Sequence, residues 1–267
     1  MVAALMPIMA WWLLVAVLVL NRKHQTRSLL IECIGSAIFK IVVTVVTVLS
    51  AAYKLPYWQG TAATLAIVWL GIVVIAFPSG GHLNPAVTAG MWASGQMVLL
   101  DAILYVGAQL IGCALAMELL RFTVPDTLHY SIVPMRPATP DNPLFDHTLI
   151  AVALEFVFTA SNARLALGCD AFGAHAPSTT ASLVCMLIVA GRLAYRAGGG
   201  ACMDPSGAFA SAFFAQDFEH LPLYWVGGLA GAVVAGGLYG VRLETQARLP
   251  TVWGVTYCVS AEKEKEA

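Results

Sequence analysis

The chain is short of charge. Of its 267 residues only 11% are charged and 59% are hydrophobic, with a mean hydropathy of +0.79. A soluble domain of this size carries about a quarter charged residues. A formal net charge of −1 gives no basic footprint, which argues against a nucleic-acid partner. The six cysteines (Cys33, Cys113, Cys169, Cys185, Cys202, Cys258) are scattered, with no C-x-x-C pair and no Cys/His cluster. Zinc and redox chemistry are therefore not suggested, and the thiols read as small apolar residues. There is no Walker sequence, no G-x-G-x-x-G after a strand and no H-E-x-x-H. No nucleophile–base pair stands out, no cofactor is called for, and an enzyme reading has little support.

What is present is long apolar runs. A helical bilayer span needs about 20 mostly apolar residues. Seven candidate segments occur, at about 2–20, 28–53, 60–78, 97–120, 147–169, 178–197 and 221–241. The chain therefore reads as an all-α polytopic membrane protein. The first segment carries no charge and is followed by the basic stretch NRKHQTR. A cleaved signal peptide has its positive charge before its apolar core. Residues 2–20 are accordingly expected to be a retained span or an interfacial helix, with 21–27 on the cytoplasmic side.

The expected organisation is an N-terminal apolar segment and basic linker (1–27), a first repeat (28–120), a Pro-rich connection (121–146), a second repeat (147–242) and a C-terminal tail (243–267) whose closing AEKEKEA is polar and expected to be disordered. The two repeats match in register. Glu32 lies in a span, Asn84-Pro85 follows 52 residues later, and Gly112 comes 28 after that. Glu155 lies in a span, Asp204-Pro205 follows 49 later, and Gly231 comes 27 after that. Tyr105 and Tyr224 each precede their glycine by seven. With three spans per half, the second copy enters the membrane from the opposite face. That is an inverted repeat, an architecture that works at the interface between its halves.

The breaks between spans are polar and Gly-rich: SGGHLNPAVTAG (79–90) and GGGACMDPSGA (198–208). Asn and Asp are favoured helix N-caps and Pro is favoured at the first helical position. Each break therefore predicts a short helix starting at Asn84-Pro85-Ala86 and at Asp204-Pro205-Ser206. Irregular backbone at membrane depth is tolerated only inside protein or beside a watery cavity. Two half-helices meeting end to end point their positive ends at the midplane and repel cations. Glu32 and Glu155, carboxylates within spans, are expected to brace these loops by accepting their free N–H groups.

These residues resemble the aquaporin and aquaglyceroporin family. SGGHLNPAVTAG is similar to its first signature loop, LIECIGSAIF to its first helix, YVGAQLIGCALA to its third and HLPLYWVGGLAGAVVAGGLYG to its sixth, over about Leu29 to Arg242. The resemblance implies six spans, two half-helices, one pore per subunit and a homotetramer. It also implies a loop-packing or gating role for His82, beside the plainer reading of a structural histidine.

The second loop departs from the family's Asn-Pro-Ala-Arg. It reads Asp204-Pro205-Ser206-Gly207, so an amide donor and a guanidinium are both missing. Counting from the resemblance, the selectivity filter falls on Thr64, Arg192, Ala201 and Gly207. Arg192 then either replaces the missing guanidinium, pairs with Asp204 or reaches the headgroups. Arg196 is a second candidate partner for Asp204, or snorkels. Lys40, eight residues after Glu32, is left between a pore-side position and an interfacial or inter-subunit one. Arg164 is expected to snorkel. The resemblance thus implies a passive channel for water or small neutral solutes such as glycerol, in a plasma or intracellular membrane. Loss of the second Asn and of the loop Arg keeps open a non-conducting member of the same fold, or a pore with altered charge selectivity.

Overall fold

The computed structural model describes residues 23–132, 148–168, 176–194 and 202–248. The expected N-terminal segment 2–20, most of the Pro-rich connection and residues 249–267 of the tail lie outside the described residues. Those described form eight α-helices and one 3-10 helix. The first half holds α1 (Lys23–Ala52), α2 (Tyr57–Ser79), the short α3 (Pro85–Ala93) and α4 (Leu99–Thr123). The second half holds α5 (Thr148–Leu167), α6 (Ala176–Ala194), the short α7 (Pro205–Ala215) and α8 (Leu221–Arg248). Six long helices thus coincide with the last six apolar segments, and the two short ones fall at the two breaks. The shifts are at α1, which takes in the basic residues from Lys23 onward, and at α8, which continues to Arg248, so the first residues of the expected tail are helical.

Local chemistry explains these boundaries. Asn84 and Asp204 both cap their short helices, with extended backbone and a side-chain oxygen accepting from the N–H two residues on. Pro85 and Pro205 fill the first helical position, where a missing N–H costs nothing. Apolar residues surround α2 on every side, as suits a helix between protein and lipid. Large side chains such as Leu30, Ile34, Ile38, Phe122, Met186, Val226 and Leu238 are exposed and form the apolar exterior that a bilayer requires.

The packing has the symmetry of an inverted repeat. α1 packs along α4 as α5 packs along α8, and α1 meets α2 as α5 meets α6. The halves then exchange their short helices: α3 lies against α8 and α7 lies against α4. Two matched glycines permit the closest of these contacts. A Cβ on Gly112 would stand 2.0 Å from the Cys33 carbonyl oxygen, and one on Gly231 would stand 2.3 Å from that of Phe156. Each carbonyl belongs to the residue just after the matched glutamate.

The far end of α7 is also tied down. Arg121, at the end of α4, donates to the Phe213 and Phe214 carbonyls at 3.2 and 2.9 Å. Its guanidinium lies 5.0 Å from the centre of the Phe214 ring. A cation at a helix C-terminus satisfies orphan carbonyls and opposes the dipole. The start of the Pro-rich connection is ordered as well. The 3-10 helix Asp126–Ser131 rests on α1, and the His129 ring meets Phe214 edge-on at 5.0 Å.

Gly112→Ala and Gly231→Ala are expected to destabilise the protein by at least about 1–3 kcal/mol, because backbone must move to admit the methyl. Gly237→Ala, where a Cβ meets nothing within 4 Å, is the control. Thermal unfolding in detergent checks this. Equal midpoints for all three variants would contradict the tight helix crossings.

Candidate functional site

The two breaks are built alike around one buried carboxylate each. Glu32 is fully buried, and its two oxygens accept the N–H groups of His82 and Leu83 at 3.0 and 2.8 Å. Glu155 is 1% exposed and accepts the N–H groups of Met203 and Cys202 at 2.6 and 2.8 Å. In both loops these are the two residues just before the helix cap. Each carboxylate has a further donor: Gln109 for Glu32 at 2.8 Å, and Thr159 for Glu155 at 3.2 Å.

The carboxylates hold backbone that would not otherwise stay in place. Leu83 and Met203, each immediately before its cap, have φ of 46° and 55°. Left-handed backbone costs a non-glycine residue roughly 1–2 kcal/mol. A charge-assisted hydrogen bond to each N–H offsets that cost. His82 adds support in the first loop. Its Nδ1 lies 3.1 Å from the Thr88 hydroxyl, and its ring lies 5.1 Å from that of Tyr105.

The loops meet through Asn84. Its Oδ1 accepts from the Ala86 N–H at 2.8 Å, and its Nδ2 donates to the Met203 carbonyl at 2.8 Å. The two-fold counterpart would be a donor at 204 reaching the Leu83 carbonyl. An ionised Asp has no N–H to give. Asp204 instead accepts the Ser206 N–H and hydroxyl on Oδ1, at 3.0 and 2.7 Å. Its Oδ2 takes the ammonium of Lys40 as hydrogen bond and ion pair.

Lys40 is the residue that the sequence reading left unplaced. It rises from α1 of the first half to the loop of the second, across 164 residues of chain. It is 7% exposed. Gly207 makes room for it: a Cβ there would stand 2.9 Å from the Lys40 Nζ and 3.3 Å from the Asp204 Oδ2. Among the described residues, then, the cation that Asp204 meets comes from α1. The side chain of Arg192, which lies near the end of α6, and the whole of Arg196 and Ala201 fall outside the described residues. The Arg164 guanidinium lies 4.7 Å from the centre of the Tyr239 ring.

Thr64 lies buried on α2, with its hydroxyl donating to the Gly60 carbonyl of its own helix at 2.9 Å. α2 packs against α6, where the Cys185 Sγ lies 3.4 Å from the Leu65 carbonyl. A 350 Å³ pocket lined by Pro85, Trp92, Ile103, Leu110 and Trp225, among other apolar side chains, lies behind α3. It contains none of Asn84, Asp204 or Lys40, so it is not the path between the half-helices.

Comparison with known proteins agrees with this geometry. The family model described as major intrinsic protein matches residues 19–239. Aquaporin TIP2-2 of Zea mays is 31% identical over 176 residues, covering 65% of this chain and 67% of its own. Probable aquaporin TIP4-2 of Oryza sativa subsp. japonica is 37% identical over 163 residues, 59% of each chain. The solved aquaglyceroporin from Plasmodium falciparum has the same fold, with a TM-score of 0.66 at 19% identity, over 85% of this chain and 100% of that one. The family match and the shared fold make the chain an integral membrane protein and a passive channel for water or small neutral solutes. The chain belongs to the major intrinsic protein family.

Glu155→Gln keeps the shape but turns an amide donor toward one of two loop N–H groups. It is expected to lower stability by about 1.5–3 kcal/mol, the range for a hydrogen bond to a charged group. Thermal unfolding of the detergent-solubilised variant measures this. An unchanged midpoint would mean that the carboxylate does not hold the second loop.

Proposed function

We propose that water and small neutral solutes cross between the N-terminal ends of α3 and α7, with the Asn84 amide and the Asp204 end as polar contacts along the way. The observation that carries this reading is the meeting of the two capped half-helices, linked by the Asn84–Met203 hydrogen bond of 2.8 Å. Helix N-termini present partial positive charge, so the meeting point disfavours cations while leaving donors for a solute oxygen. Asn84 has two amide hydrogens and spends one on Met203.

The proposed selectivity filter comprises Thr64, Arg192, Ala201 and Gly207. The small side chains of Thr64 and Ala201 favour a pore wide enough for glycerol, whereas the space left by Gly207 is taken by Lys40. Arg192 is the one charged member of the proposed filter. The proposed assembly is a homotetramer in the bilayer, and the repeats 28–120 and 147–242 together make one pore. The apolar exterior supports contact with lipid and with neighbouring copies.

Stopped-flow light scattering of proteoliposomes, under water and glycerol gradients in parallel, tests the reading. Flux of both above empty vesicles is the expected result. Arg192→Ala is expected to raise glycerol flux relative to water. Absence of any flux from correctly folded protein would favour a non-conducting member of the same fold.

A further inference from the structure

Three observations converge on Lys40. Its ammonium is held by Asp204 at the start of α7, with side-chain exposures of 9% and 16%. It stands where a side chain on residue 207 would begin, and Gly207 supplies none. The other half has no such charge. The position matched to Lys40, eight residues after Glu155, is Ala163, which packs against Gly90. Of the two half-helix N-termini, then, one bears a neutral amide and the other a carboxylate closed by an ammonium from a distant helix.

We propose that Lys40 is the residue that sets charge selectivity at the second half-helix, by neutralising Asp204 and supplying the N–H donors that Asp204 lacks. The assignment rests on the passage between the half-helices proposed above. Asp204 spends Oδ1 on Ser206 and Oδ2 on Lys40, so it offers a solute little of its own. An ammonium has three donors, and one goes to Asp204. The other groups beside the ammonium are the Phe39 ring, 5.2 Å to its centre, the buried thiol of Cys113, and Cys202, whose Sγ also lies at the Gly207 position. None of them cancels the charge. With the pair intact, the site is neutral and the positive end of α7 still faces the passage. Without Lys40, a bare carboxylate sits at that end and attracts the cations and protons it should turn away.

The test uses full-length wild type, Lys40→Met, Asp204→Asn and the double variant Lys40→Met/Asp204→Asn in proteoliposomes. Proton leak is read with an internal pH dye under a potassium diffusion potential, and water flux in the same vesicles by light scattering. Lys40→Met is expected to raise proton leak on the order of tenfold or more, the effect of one uncompensated charge at close range. The uncharged double variant is expected to return leak to the wild-type level. If Lys40→Met leaks no more than wild type, or the double variant leaks as much as Lys40→Met, the assignment fails. If Lys40→Met does not fold, Asp204→Asn decides. It leaves the ammonium unpaired and is expected to admit nitrate, and absence of nitrate entry would overturn the proposal. Should wild type pass no water while Lys40→Met still leaks protons, the neutral-solute reading falls and the role of Lys40 stands.

Discussion

Backbone N–H groups at membrane depth have no water to fall back on, and this structure is arranged around that constraint. Each half interrupts its spans with a loop that runs into a short helix. Four loop N–H groups just before the caps, those of His82, Leu83, Cys202 and Met203, face inward and need acceptors. Two glutamates provide all four. A carboxylate suits this task because its two oxygens can each take one N–H of adjacent residues. The same bonds hold Leu83 and Met203 in left-handed backbone, which turns each chain end so that the next residue can cap a helix. The caps, the end-to-end half-helices and the passage between them all depend on those four hydrogen bonds.

The glutamates can do this only if α1 and α5 lie close to their partners. Glu32 and Glu155 sit one residue before the carbonyls that Gly112 and Gly231 approach. The glycine that lets α4 close on α1 therefore also fixes where the Glu32 carboxylate points, and Gly231 does the same for α8 and Glu155. Brace and crossing are one device used twice. The exchange of short helices between halves then ties the repeats together, since α3 needs α8 and α7 needs α4.

Much of this was legible in the sequence because it is repeated. Apolar length gave the six long helices, and the Asn-Pro and Asp-Pro steps gave the two short ones, because span length and capping are local properties. The matched positions of Glu32 and Glu155, and of Gly112 and Gly231, carry the inverted repeat. What was not legible was the partner of Asp204. A search outward along the chain from the loop reaches Arg192 and Arg196 first. Among the described residues, the interleaving of halves brings up Lys40 from α1, 164 residues away. One signal was available. A charge inside a span must be paired, and Lys40 and Asp204 were of opposite sign, each without a counterpart in the other repeat. The tie from Arg121 to the end of α7 was hidden for the same reason.

The unequal loops are thus two solutions to one local problem. At residue 84 an amide caps the helix with its oxygen and has N–H groups to spare. At residue 204 a carboxylate caps equally well but has no donor, and its second oxygen would be left charged in a poorly hydrated place. Burying such a charge alone is costly, so the fold closes it with an ammonium. The ammonium needs space, and Gly207 leaves it. Asp204, Gly207 and Lys40 therefore form one interdependent change: the acid requires the lysine, and the lysine requires the glycine. Any one of the three read alone looks like the loss of a channel feature. Read together they keep the second half-helix capped, neutral and supplied with donors, by groups drawn from both halves of the chain.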